Sequence, residues 1–294
     1  MHHGSLMSDS ATELRFQTAL ARVLTDQSLR LSVFSKSQHD LCEVDTKRLL
    51  AMDPERLDIY AELVFLNRLA KTAEGLPITT KLLGARTWEH MREFARQFPS
   101  VGIKKHAEAM AFGSWLKSEF AKNPPAHPYF LDVLKYETTA LDLRFSFDGI
   151  YTLGNTEDQA DTDRLLHSPK SNFNYIPLRL RHHCLLSFAH DPAPIIDTVN
   201  EGKRPHDAVP KKTLMLLYVA PSGTLMQISP SPTAAAFLSA IDGFSSLEVV
   251  IQTAARILRS SDAIEPFKMR CLDLCEKLID MRIVALKPCR LSCS

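Results

Sequence analysis

The chain is expected to be an α+β protein: an N-terminal multi-helix bundle followed by a small module of short strands and three helices. Two observations predict this. From about residue 11 to residue 143, apolar side chains recur at helical period between capping and proline signals. After a polar, turn-rich stretch, the pattern changes to short apolar runs, a proline-marked turn and three further helical segments. The expected division is a helical domain over 8–143, a linker over 144–174 and a second domain over 175–288.

The bundle is justified run by run. "ELRFQTALARVLTD" places Leu14, Phe16, Ala19, Leu20, Val23 and Leu24 close to helical period. "DPERLDIYAELVFLNRLAKTA" opens with Asp53 as N-cap and Pro54 at the first helical position. Its expected inner face is Leu57, Tyr60, Ala61, Val64, Phe65 and Leu69. "TWEHMREFARQFP" is expected to start at Thr87, in a capping-box-like Thr-x-x-His, and to stop at Pro99. "GIKKHAEAMAFGSWLKSEFAKNPP" ends at Asn123 before two prolines, and "HPYFLDVLKYETTALDL" restarts after Pro128.

From Arg144 to about Asn174 the period is lost, and "GNTEDQADTDRLLHSPKSN" carries turn residues and acids. "YIPLRLRHHCLLSFAHD" alternates and then turns apolar, as a strand would, and "NEGKRPHDAVPKK" is a second loop. "TLMLLYVA-PSG-TLMQIS" is a hairpin signal. Three helices follow, over about 232–242, from an N-cap at Ser245 or Ser246 through "LEVVIQTAARILRS", and over about 263–281. "RIVAL" closes the module as a strand stopped by Pro288. Hairpin, three helices and a closing strand is a winged-helix-like order.

Composition narrows the function classes. The 294 residues are 45% apolar and 23% charged, with a formal net charge of +1, so no bulk field holds a polyanion. The bundle, over 8–143, has 18 Lys/Arg and 18 Asp/Glu, and so no one-signed surface. "MHHGSLM" reads as vector-derived, and His2 and His3 are set aside from site reasoning. With no secretion pattern after it and no long apolar run, a cytoplasmic protein without a membrane span is expected. Six dispersed cysteines are expected to be thiols. With 10 glycines and no Gly-rich phosphate loop, G-x-S-x-G or H-E-x-x-H, neither nucleotide chemistry nor hydrolysis is indicated.

The module's landmarks are Ser231-Pro232, the small and apolar run Ala234–Leu238, Asp242-Gly243, Leu247–Ile251 and Phe267–Met281. On these, 213–286 resembles the PqqD-like peptide-recognition module, the RiPP recognition element. "HAEAMAFGSWL" and "PYFLDVLKYETTAL" in the bundle are similar to the N-terminal domain of partner proteins of multinuclear non-heme iron oxidases in peptide natural-product biosynthesis. The overall pattern is most like the 3-thiaglutamate partner family, with the methanobactin partners next. The resemblance implies a non-catalytic subunit. It would form a heterodimer with a TIM-barrel oxidase, bind the leader of a ribosomal precursor peptide, and leave the iron and all cofactors to the oxidase. It implies β-carbon excision from a C-terminal cysteine, or cysteine-to-oxazolone conversion as the alternative. It also implies that the leader adds as a strand along 224–229 and packs on the third helix. Leu225, Met226, Gln227, Ile228, Arg270, Leu274 and Lys277 are then the peptide-binding candidates, with Leu225 and Gln227 facing outward near Arg270 and Lys277.

A winged-helix DNA-binding regulator is the rival class. A DNA reader neutralises several phosphates. The segment 211–294 has 10 Lys/Arg against 7 Asp/Glu, and Lys268, Arg270 and Lys277 alternate with Glu265, Asp273, Glu276 and Asp280. Four carboxylates on a recognition helix suit a major groove poorly. Catalytic and metal residues are expected to be absent. Cys271, Cys275, Cys289 and Cys293 are spaced by three residues rather than the two usual in zinc ribbons, and Cys271 and Cys275 share a stripe with Phe267, Leu274 and Leu278 that reads as core. His182 and His183 are strand neighbours that point to opposite faces. His90 and His106 lack partners at helical spacing, and Glu108, Glu119 and Glu137 form no Glu-x-x-His pair.

Overall fold

The structure is a computed structural model that describes residues 5–98, 105–152, 175–180, 182–205, 209–220, 222–259 and 264–288. It is a mixed α+β protein, mostly helical, with two small antiparallel sheets among the described residues. The chain divides into two compact units, Met1–Thr138 and Thr139–Ser294. No helix among the described residues is long and apolar enough to cross a membrane.

The first unit is built from α1 (Ser5–Thr25), α2 (Gln27–Phe34), α3 (Glu43–Leu50), α4 (Pro54–Gly75), α5 (Pro77–Leu83), α6 (Arg86–Gln97), α7 (Lys105–Lys122) and the start of α8 (Phe130–Thr152). Local signals set most of these ends. Asp26 accepts from the Ser28 and Leu29 amides, and Asp53 accepts from that of Glu55. Phe16, Val23, Leu29, Val33 and Leu49 form one core cluster from α1, α2 and α3. Around α6 and α7 the core is aromatic: Phe94 meets Phe112 edge-on at 5.5 Å and stacks on Phe98 at 5.4 Å. At Gly113 α7 runs close against α8, since a Cβ there would lie 2.7 Å from Thr138 Cγ2.

Three local expectations are corrected here. The buried positions of α4 are Leu57, Ala61, Arg68 and Thr72, while Tyr60 is exposed. A polar residue holds the inner face because Arg68 Nε donates to Glu108 Oε1 at 2.6 Å, with both side chains buried. Thr87 does not cap α6. The helix begins at Arg86, and the Thr87 hydroxyl donates to the Thr80 carbonyl at 2.9 Å. Helix α8 continues past Leu143 to Thr152, because "RFSFDGIYT" has no proline and its single glycine does not stop a helix. The rest of the expected linker, 153–174, lies outside the described residues.

In the second unit, β1 (Tyr175–Arg179) is followed by β2 (His183–Phe188), α9 (Pro192–Asn200), β3 (Thr213–Val219) and β4 (Leu225–Ile228). Then come α10 (Pro232–Ala240), α11 (Leu247–Leu258), α12 (Ile264–Asp280) and β5 (Val284–Pro288). The single strand expected from "YIPLRLRHHCLLSF" is two. β1 pairs antiparallel with β5, whereas β2 pairs antiparallel with β3, so the chain changes sheets at Leu180–His182. The hairpin forms as expected, with β3 antiparallel to β4 and Val219 opposite Leu225. Helix α9 was not expected. Its start carries Asp191, whose carboxylate accepts from the Ala193 amide, and then Pro192, the same pattern that starts α4. Ser231 caps α10, and Ser246 rather than Ser245 caps α11. Leu216 and Tyr218 of β3, Phe237 of α10, Ile251 of α11 and Phe267, Cys271 and Cys275 of α12 form one core with β5.

Candidate functional site

The hairpin ladder decides which way the groups of β4 point. The Val219 amide donates to the His182 carbonyl on the β2 side, and the next amide, Ala220, donates to Thr224 on the β4 side. In an antiparallel ladder this alternates by residue. Tyr218 and Leu216 therefore exchange hydrogen bonds with Met226 and Ile228, opposite which they sit. The main-chain groups of Leu225 and Gln227 turn away from β3. Among the described residues the sheet runs β2-β3-β4, so these groups face its outer edge.

Side chains directly opposite in the ladder share a face. Met226 and Ile228 lie on the face of Tyr218 and Leu216, which carries the helical core, and remain 41% and 37% exposed. Leu225 and Gln227 share the opposite face with Val219 and Leu217. On α12, Arg270, Leu274 and Lys277 follow one another at helical spacing. Leu274 packs half-buried on the core, while Arg270 and Lys277 are exposed, and the Arg270 guanidinium stands 5.8 Å from the centre of the Phe267 ring. The candidates thus divide by face. Met226 and Ile228 belong with the core that α12 joins, and Leu225 and Gln227 look to the other side.

Cys271 and Cys275 are fully buried in that core, and burial pushes their thiols up to about 11 and about 12, away from the reactive thiolate. Cys289 and Cys293 lie outside the described residues. Among the described residues no three His, Cys, Asp or Glu side chains gather as metal ligands. His90 is a packing residue, edge-on to Phe120 at 5.6 Å and to Trp115 at 6.0 Å, and burial lowers its pKa. Glu119 pairs with Lys122 on the surface. His106 is a helical residue of α7.

Two groups acquire a role that the sequence did not suggest. The Glu137 carboxylate accepts from the Ile78 and Thr79 amides, at 2.7 Å each, and so caps α5 from a distant helix. Burial raises its pKa, against the pull of those hydrogen bonds. His183 lines a cavity of about 490 Å³ with Leu178, Arg179, Leu180, Cys184, Leu185, Ile241, Asp242 and Gly243. Burial lowers its pKa to about 4, against the pull of a hydrogen bond to the Leu180 main chain. His182 precedes β2 in a turn, so the two histidines are not neighbours within one strand.

No family model matches the chain, and no curated protein matches it.

Proposed function

We propose that the chain is a non-catalytic partner subunit. It binds the leader of a ribosomal precursor peptide and presents a cysteine of that peptide to a multinuclear non-heme iron oxidase, which supplies the iron. The observation that carries the proposal is β4. It is a sheet-edge strand with main-chain groups turned outward, and it bears two exposed apolar side chains, Met226 and Ile228, on the face of the helical core. An extended peptide gains main-chain hydrogen bonds along such an edge and selectivity from alternate side chains. The order of β3, β4, α10, α11, α12 and β5 supports a PqqD-like, winged-helix-like arrangement. The proposed domains follow the sequence division, with the first carried to the end of α8 at Thr152 and the second over 175–288. Arg270 and Lys277 would favour an acidic leader, and Leu274 would support its apolar side chains.

Holding the leader raises the local concentration of the peptide's reactive end at the oxidase, which lowers the barrier by proximity. The reaction we favour is β-carbon excision from a C-terminal cysteine, of the 3-thiaglutamate kind. Cysteine-to-oxazolone conversion is the alternative, and both are the oxidase's chemistry. The test is to look beside this chain's gene for a short precursor-peptide gene, whose absence counts against the reading, and to measure binding of its labelled leader by fluorescence anisotropy. Leu225→Pro removes an outward amide while leaving the β3–β4 hydrogen bonds in place. It should weaken binding by about tenfold or more, as one lost hydrogen bond and an obstructed edge imply. Arg270→Glu with Lys277→Glu should weaken an acidic leader further. Circular dichroism checks folding. Unchanged affinity in the folded triple variant overturns the proposed edge. Binding to duplex DNA that survives physiological salt would transfer the reading to a regulator.

A further inference from the structure

The cavity at the β1–β2 bend lies at the other edge of the sheet. In the order β2-β3-β4 its wall is the outer edge of β2, two strand spacings (about 10 Å) from β4. At about 490 Å³ it falls in the range of small-molecule sites. Its apolar wall is Leu178, Leu180, Leu185 and Ile241.

The polar groups around it are few, and they differ in what they leave open. Because His182 bonds to β3, the main chain of His183 turns toward the outer edge of β2. The His183 ring lines the cavity and bonds to the Leu180 main chain, while its Nδ1 is buried out of reach of the cavity. Arg179 disfavours a proton on that ring and lines the cavity, so it brings positive potential to the site. Asp242 is the one carboxylate among the described lining residues, and it is engaged elsewhere. It accepts from the Phe244 amide at 2.9 Å, the Ser245 amide at 2.8 Å and the Ser245 hydroxyl at 2.7 Å.

We propose that this cavity is a binding site for a small apolar carboxylate. The apolar body fills the leucine and isoleucine wall, and the carboxylate faces Arg179. The site is separate from the peptide edge, and its failure or success leaves the peptide reading unchanged.

Three probes of similar size separate the contacts. Indole-3-acetate and naphthalene-1-acetate have the body and the charge; indole-3-acetamide lacks the charge. Each is titrated into the full chain and followed by saturation-transfer NMR and calorimetry. The two acetates are expected to bind alike and the acetamide to be weaker by about tenfold, the effect of one polar contact. Arg179→Glu, at an exposed position, is expected to weaken indole-3-acetate about tenfold and leave the acetamide unchanged. Leu180→Trp, which fills the cavity, is expected to abolish binding of all three. The absence of saturation transfer at millimolar probe overturns the site. So does transfer that persists in folded Leu180→Trp. Equal affinity for the acetate and the acetamide overturns the assignment of a carboxylate.

Discussion

His183 shows how a residue's chemistry follows from its surroundings. In an unfolded chain its imidazole titrates near 6.5, and in the fold burial holds it at about 4. Between those values the unfolded chain binds more protons than the folded one, so this residue's contribution to stability falls as pH drops from about 6.5 to about 4 and levels off below. After a discount for solvent at the cavity mouth, the loss is about 1–2 kcal/mol. His183→Gln should remove that part of the acid sensitivity. Urea unfolding at pH 7 and pH 4.5 measures it, and an identical pH dependence in both proteins would refute it. The residue types around the ring were visible in "LRLRHHCLL". Its burial was not, because the chain leaves one sheet and joins another between Leu180 and His183. Cys271 and Cys275 are the opposite case. Their place in an apolar helical stripe was legible, and they are core residues.

At the scale of elements, α5 is the instructive case. It is a seven-residue helix with no side-chain cap of its own, and Pro77 occupies its first turn. Its next two amides are met by Glu137 from α8. Glu137→Leu would leave two buried donors unpaired and should cost about 2–4 kcal/mol. Glu137→Gln, which can still accept one bond, should cost less. Urea denaturation of the two variants decides the matter, and wild-type stability in Glu137→Leu would show that the cap is idle. The starts of α4, α10 and α11 were readable because Asp53, Ser231 and Ser246 act on amides two or three residues away. A cap that arrives from 58 residues along the chain leaves no local trace. Helix α9 did carry the local Asp-Pro signal, and the apolar run of β2 before it obscured the change of period.

For the whole molecule, the prediction concerns what the chain does in company. Purified alone, it should carry no stoichiometric iron by elemental analysis. Co-expressed with a multinuclear non-heme iron oxidase of the proposed class, it should elute as a one-to-one complex by light scattering, with iron. Stoichiometric iron in the isolated chain, mapped to its own side chains, would overturn the assignment of the metal to the partner. Helical period, capping residues and proline stops were enough to read an α+β chain, helices α1, α4, α6, α7, α8, α10, α11 and α12 and the β3–β4 hairpin, since each depends on residues close in sequence; α2, α3, α5 and α9 were not read. Pairing of β1 with β5, more than a hundred residues apart, could not be read in this way. Nor could the position of β4 at a sheet edge, the division of Leu225 and Gln227 from Met226 and Ile228, the Arg68–Glu108 pair or the cavity beside His183. Local conformational preference sets the type of an element. Which surfaces it buries, and which polar groups find partners, depends on distant segments that meet only when the chain has folded.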